Sequence, residues 1–246
     1  MTRLAAVAGS PALRDEVTVG PDATVAQWRG ANTSHPHYDT MVAQYSGMLA
    51  DSSADQAERL AATIGNATLR EVTLNKIAQA AALLIEGFPL NTEWNTRPRA
   101  IAEVHEVLAD GVAFAAVDHD GQMLGWVGAL EVYHGFTWEL HPIVVRADRR
   151  RGGVGRTLVL ALEEAARAAG IVTMMLGTDD EDGRTTLSQI DDLYADIPSA
   201  IQHAASFDPA NPHPMDFYRR LGYRIVGLLP DANGARKPDI FMAKRM

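Results

Sequence analysis

The 246-residue chain contains no cysteine. Disulfides, thiolate metal sites and a cysteine nucleophile are excluded together, and a reducing compartment fits that usage. Long apolar runs are also missing. The stretch Leu4–Ala8 is too short for the apolar centre of a secretory signal, and no later run approaches membrane-spanning length. A cytoplasmic protein that does not enter a membrane is therefore expected. Positive charge is scarce: 22 Lys and Arg stand against 31 Asp and Glu, a formal net charge of -9. Such a field repels nucleic acid and attracts cationic small molecules, so the run Arg149-Arg150-Arg151 reads as a local feature rather than a nucleic-acid surface. No metal site is expected. His35 and His37 lie two apart in a proline-containing loop with no third ligand placed near them.

What is present divides by pattern. Residues 1–66 are rich in Pro, Gly, Ser and Asp and thin in apolar periodicity. They read as an N-terminal extension, partly helical. One short helix would carry Met41, Val42, Tyr45, Met48 and Leu49 on a single face; another would open at Ser53, with Gln56 completing a capping box. Residues 67–246 read as one α+β domain. The spacing predicts a strand at Thr68–Val72, a helix over Leu74–Glu86 stopped by Gly87, and a helix over Arg99–Leu108. Strands follow at Val112–Val117, Met123–Val132 and Phe136–Val145, the first two joined by the turn Asp118-His119-Asp120-Gly121. An amphipathic helix over Gly155–Ala169 turns Leu158, Leu162 and Ala165 inward and closes at Gly170. Ile171–Leu176 is nearly all apolar and reads as a strand covered on both faces. An acidic excursion, Asp179–Pro214, precedes a short helix over Met215–Leu221 and terminal strands at Tyr223–Leu229 and Asp239–Lys244. This order describes a central mixed sheet with helices on both faces.

The strand Trp138-Glu139-Leu140-His141-Pro142-Ile143-Val144-Val145 carries the chemistry. Glu139 and His141 are two apart and share a face, with Trp138 and Leu140 on the other. Pro142 has no N–H to give to a ladder, so it marks an interruption. The segment Arg150-Arg151-Gly152-Gly153-Val154-Gly155-Arg156-Thr157 then enters a helix. Its glycines allow close backbone approach, and the unpaired N–H groups of the helix start favour an anion. This is not a P-loop, because no Gly-Lys-Ser/Thr follows the glycines at the required spacing.

The order of elements and the Arg150-x-x-Gly153-x-Gly155 motif resemble the GNAT superfamily of acyl-CoA-dependent N-acetyltransferases. More specific stretches are Trp138–Val145, Leu176-Gly177-Thr178-Asp179-Asp180, Thr185-Thr186-Leu187-Ser188-Gln189, Phe217-Tyr218-Arg219-Arg220-Leu221-Gly222-Tyr223 and Lys237-Pro238-Asp239-Ile240-Phe241-Met242-Ala243-Lys244. Together they are similar to the chromosomal-type aminoglycoside 6'-N-acetyltransferases of bacteria, over about residues 70–246. The resemblance implies the GNAT fold, acetyl-CoA as co-substrate, an aminoglycoside acceptor, antibiotic resistance and a homodimer. It implies Glu139 as general base with His141 nearby, and the Ile143 N–H as donor to the thioester carbonyl. The backbone of Ile143, Val144 and Val145 would hold pantetheine, and Arg150 to Thr157 the pyrophosphate. Tyr218 would be the general acid beside the coenzyme, and Asp179 and Asp180 would face the acceptor's ammonium groups. Phe88, Glu93 and Trp94, in the loop after the first helix, are candidate walls of the acceptor cleft. Tyr223 reads as core. Glu181, Asp182, Asp191, Asp192 and Asp196 read as solvated surface.

The acceptor sets the chemical demand. An aliphatic amine has a pKa near ~10, so about one molecule in a thousand is the neutral nucleophile at pH 7. A carboxylate on the sheet face can bind the ammonium and relay its proton away, through water. The same negative charge raises the amine's pKa, so capture and deprotonation oppose each other. Orientation in a ternary complex must then supply most of the catalysis, by direct transfer without an acyl-enzyme. Two other readings stay open at this point. The acceptor could be a polyamine or a protein amine, or the chain could bind acetyl-CoA without catalysis. The presence of both Glu139 and Tyr218 argues against the second.

Overall fold

The computed structural model describes residues 17–18, 23–28, 75–118, 120–206 and 213–246. The helices expected near Met41 and Ser53, the strand expected at Thr68–Val72, the pair His35 and His37, and His119 of the hairpin turn lie outside the described residues. The chain separates into two compact units, Met1–Glu131 with Leu140–Ala165, and Val132–Glu139 with Ala166–Met246.

In the first unit, strands β1 (Val17–Thr18), β2 (Ala23–Trp28), β3 (Gly111–Asp118) and β4 (Met123–Val132) pair antiparallel in sequence order. The described residues of the N-terminal extension are strand, which its sequence pattern does not suggest. Ala23–Trp28 pairs residue for residue with Ala113–Asp118. Six residues mixing Thr24 and Gln27 with apolar neighbours give little periodic signal, and the partner strand decides the conformation. Residues 75–87 form helix α1, and Arg97–Asp110 forms α2. The second helix starts two residues earlier than expected because Pro98 sits in its first turn, where a missing N–H costs nothing. Alternate β3 residues Ala113, Ala115 and Val117 meet Ile77, Ala80 and Leu84 of α1 and Ala100, Val104 and Val107 of α2 in one buried cluster. Trp126 is fully buried there, and its indole N–H donates to the Ala80 carbonyl at 3.3 Å.

Strand β5 (Thr137–Val145) runs unbroken through Pro142. The break expected at the proline shows in the pairing instead. The parallel register with β6 (Thr173–Asp179) covers only Thr137–Glu139 against Thr173–Met175. Burial alternates along β5: Trp138, Leu140, Pro142 and Val144 are buried, while Glu139, His141 and Ile143 are half-buried. The faces expected of Glu139 and His141 are therefore observed. Two β4 glycines fix how close β5 lies. A Cβ on Gly125 would stand 2.6 Å from the Val144 carbonyl oxygen, and one on Gly128 2.7 Å from that of His141.

The second unit joins the start of β5 to β6, β8 (Asp239–Arg245) and β7 (Arg224–Leu229) in that order, with β6–β8 and β7–β8 antiparallel. Strand β6 differs from expectation. It begins at Thr173 and alternates, with Met174, Leu176 and Thr178 buried and Gly177 and Asp179 exposed, rather than being covered on both faces. Val172, counted as core in the sequence pattern, is 47% exposed just before the strand. Helix α3 (Val154–Ala168), which belongs to the first unit as far as Ala165, buries Leu158, Leu162 and Ala166 completely. Ala166, not Ala165, continues the four-residue stack, and Gly170 closes the helix with φ +78°. Helices α4 (Ile197–Ser206) and α5 (Pro214–Arg220) complete the described set. Among the described residues no helix is long and apolar enough to cross a membrane.

Candidate active site

The loop after β5 has the form of an anion cradle. Arg149 through Gly153 are exposed, and both Arg151 (φ 63°) and Gly153 (φ 90°) take left-handed conformations that bend the chain into α3. A Cβ on Gly153 would meet nothing within 4 Å, so glycine is there for its backbone angle, and the space above it is open. Val154 is buried and anchors the helix start. The Thr157 N–H and hydroxyl both bond to the Gly153 carbonyl, at 3.0 and 3.3 Å. Arg150 is partly committed elsewhere, since its Nε donates to the Val145 carbonyl at 3.0 Å and ties the loop to the end of β5. Exposed N–H groups at the start of a fifteen-residue helix, beside three arginines, fit a pyrophosphate.

On β5, Glu139 and His141 stand two residues apart. His141 has a carboxylate partner that sequence reading missed: Glu103 of α2, whose Oε1 lies 3.1 Å from His141 Nε2. The other oxygen, Oε2, accepts the Trp94 indole N–H at 2.9 Å. Trp94 also meets the His141 ring edge-on at 5.4 Å and Phe88 at 4.9 Å. Trp94 is more buried than a cleft wall read from a loop would suggest. It is 8% exposed and belongs to the core of the first unit, with Phe88 packed against that core, while Glu93 remains exposed. Burial pushes the Glu103 carboxyl up, but contact with His141 and the indole N–H outweigh it, so the net shift is downward. Glu103 was hard to find because it falls beside the inward positions Ala100, Val104 and Val107 and reads as a surface residue of an amphipathic helix.

In the second unit the two aspartates after β6 part ways. Asp179 is exposed, and its Oδ1 accepts from Asn233 Nδ2 at 2.5 Å. Asp180 is 0% exposed and serves the fold. It accepts the N–H groups of Arg184 (2.6 Å) and Thr185 (2.9 Å) and the Thr185 hydroxyl (2.5 Å). The expectation that Asp180 faces an acceptor is therefore corrected, because both its oxygens are used in its own turn. A second missed residue, Asp239, pairs across β8 with Asp179 and lies over Gly177, where a Cβ would come within 2.5 Å of its Oδ2. Its Oδ1 is buried without a hydrogen bond. Burial, then the like charges of Asp179 and Glu139, raise its carboxyl to about 6.

Tyr218 sits on α5, 6% exposed, between Phe217 at 5.1 Å and Tyr223 at 5.9 Å. Burial holds its phenol far above the usual range, so it stays protonated. The helix is capped by His213, a third residue missed. Its Nδ1 accepts the Met215 N–H at 3.2 Å while Nε2 stands 3.0 Å from the Asp179 carbonyl oxygen. A histidine immediately before Pro214 was the available sign, since proline at the first helical position marks a cap. Tyr223 is core as expected, 2% exposed, with its hydroxyl toward Met174 Sδ. The rest of the acidic run is surface in local pairs: Asp182 with Arg184, Asp191 with Arg236, and Asp192 and Asp196 accepting from nearby N–H groups. Glu181 is pushed up by burial and by Asp179. Among the described residues no group of three or more His, Asp or Glu could hold a metal ion.

Residues 77–186 match the model of the acetyltransferase (GNAT) family. A solved aminoglycoside 6'-N-acetyltransferase complexed with coenzyme A is 41% identical, covering 69% of this chain and 89% of its own, with a TM-score of 0.62. The aminoglycoside 6'-N-acetyltransferase from Enterococcus faecium is 42% identical over 70% of this chain and 91% of its own, also at 0.62. An aminoglycoside 6'-acetyltransferase of type Ii is 35% identical, with a TM-score of 0.51. A comparison with curated proteins gives no match. The chain belongs to the GNAT acetyltransferase family and has its α+β fold. Acetyl-CoA binding fits that fold and the cradle described above.

Proposed function

We propose that the chain transfers the acetyl group of acetyl-CoA to the 6'-amine of aminoglycosides by direct attack in a ternary complex. The observation that carries this is identity of 41% and 42% with two aminoglycoside 6'-N-acetyltransferase structures over 89% and 91% of their lengths. Acetyl-CoA, when bound, supplies the acetyl thioester. The N–H groups at the start of α3 and the Arg150–Thr157 loop hold its pyrophosphate, and the backbone of Ile143, Val144 and Val145 receives the pantetheine arm. The Ile143 N–H polarises the thioester carbonyl; such a donor is worth ~3 kcal/mol of barrier. Glu139 meets the acceptor ammonium, and the proton leaves by this face of β5, where His141 stands two residues on. Tyr218, held neutral by burial, donates toward the departing sulfur. Asp179 and Asp239 add negative charge for a polycation. One pair at ~4 Å is worth up to about 4 kcal/mol before desolvation at an effective dielectric near 20.

Steady-state acetyl-CoA turnover with a 6'-amino aminoglycoside and with its 6'-hydroxy analogue tests the reading. Turnover with the amine alone is expected. Faster turnover with a polyamine or a peptide amine would reassign the acceptor, and tight acetyl-CoA binding without turnover on any amine would remove catalysis from the reading.

A further inference from the structure

We infer that Glu103 is a positioning residue that makes His141 the carrier of the proton leaving the acceptor amine, while Glu139 serves to capture the ammonium. The inference rests on amine acetylation at this site and divides work that one carboxylate does badly. A carboxylate of ordinary pKa ~4 is a weak base toward an amine near ~10, and its charge makes that amine still harder to deprotonate. An imidazole near ~6.5 is better matched to neutral pH, provided its ring is fixed and its charge is offset.

The structure supplies both conditions within one unit. Glu103 Oε2 accepts the Trp94 indole N–H at 2.9 Å, and its buried Oε1, which has no well-aligned hydrogen bond, lies at ion-pair distance, 3.1 Å, from His141 Nε2. Its side chain is only 13% exposed, whereas that of His141 is 36% exposed. The imidazole is thus backed by a carboxylate on its buried side and reachable from water. The edge-on Trp94 ring at 5.4 Å limits the tilt of the imidazole, and Trp94 is itself locked in the core. With Nε2 directed at Glu103, the carboxylate favours the Nε2–H tautomer and offsets the charge of the protonated ring. The charged group shown at the ring is Glu103 from α2, and Glu139 lies two residues away along β5. In the step itself the captured ammonium gives one proton to His141, which frees the lone pair that forms the C–N bond. As the C–S bond breaks the thiolate takes a proton from Tyr218, and the second proton, lost from nitrogen as the amide forms, passes through water to restore the phenol.

The test combines a titration that needs no acceptor with kinetics on whichever amine turns over. In Glu103→Gln, the His141 Cε1–H resonance followed by NMR is expected to titrate about one unit lower than in the wild-type chain. The acid limb of kcat/KM is expected to move with it, and kcat to fall about tenfold or more with KM nearly unchanged. Glu103→Asp should recover part of both effects. Trp94→Phe, which removes the indole N–H and part of the ring, should give a smaller change of the same sign, and it tests the idea even if Glu103→Gln folds poorly. An unmoved His141 titration, or a lost kcat with an unmoved pH profile and no recovery in Glu103→Asp, would overturn the inference. Absence of turnover on aminoglycosides alone would defeat the acceptor reading and leave the titration standing.

Discussion

Glu103 in the first unit and Asp239 in the second are both largely withdrawn from water, yet their carboxyls shift in opposite directions. Burial raises each. Glu103 has an imidazole and an indole N–H turned toward it, and these bring it below the ordinary range. Asp239 has the like charges of Asp179 and Glu139 as neighbours, and backbone hydrogen bonds from Thr178 and Ile240 do not offset the cost of burial. Company rather than depth therefore decides whether a half-sunken carboxyl is a dependable anion or one poised to protonate. Asp180, fully buried with three donors on it, marks the satisfied extreme.

The largest effect expected along this scale belongs to Asp180→Ala. It strands two N–H groups and a hydroxyl inside the protein and should cost ~3 kcal/mol or more. A urea midpoint indistinguishable from that of the wild-type chain would show that the turn does not need its acceptor. Asp239→Asn should do the reverse. The unfolded carboxyl titrates near 3.8 and the folded one at about 6. The native state therefore binds more protons between those values, and stability falls as pH rises through that window. The variant lacks this penalty. Its gain over the wild-type chain should be near zero at pH 4 and reach ~1–2 kcal/mol at pH 7, after allowance for solvent screening. Thermal unfolding at the two pH values checks it, and a gain independent of pH would assign the effect to packing. The smallest effect is expected from Glu139→Gln, which removes one like charge and should bring Asp239 part of the way back toward the usual range. A carboxyl carbon titration by NMR that leaves Asp239 unmoved would show that the two groups do not sense each other.

The comparison also explains what the sequence made visible. Strand β4 came out at the residues expected, and α3, β5, β7 and β8 within a residue or so, because periodicity and glycine stops are local signals. The loop into α3 was legible for the same reason: glycines, arginines and a helix start lie consecutively. Long-range pairing was not. Glu103 reaches His141 from 38 positions away in sequence, Trp94 joins them from a loop, and Asp239 meets Asp179 through strand register. No pattern on any one element announces such meetings. Asp179 and Asp180 looked alike as neighbours, and only the turn at Arg184–Thr185 shows that one belongs to the surface and the other to the fold.

His213 links two of these parts. A helix of seven residues, like the one bearing Tyr218, has few ladder bonds with which to hold its own station. A single imidazole both closes the start of that helix and hangs it from the carbonyl of Asp179. The depth of the phenol is consequently referenced to the same strand end that presents the Asp179 carboxylate, so a change at that strand end would also be felt at Tyr218.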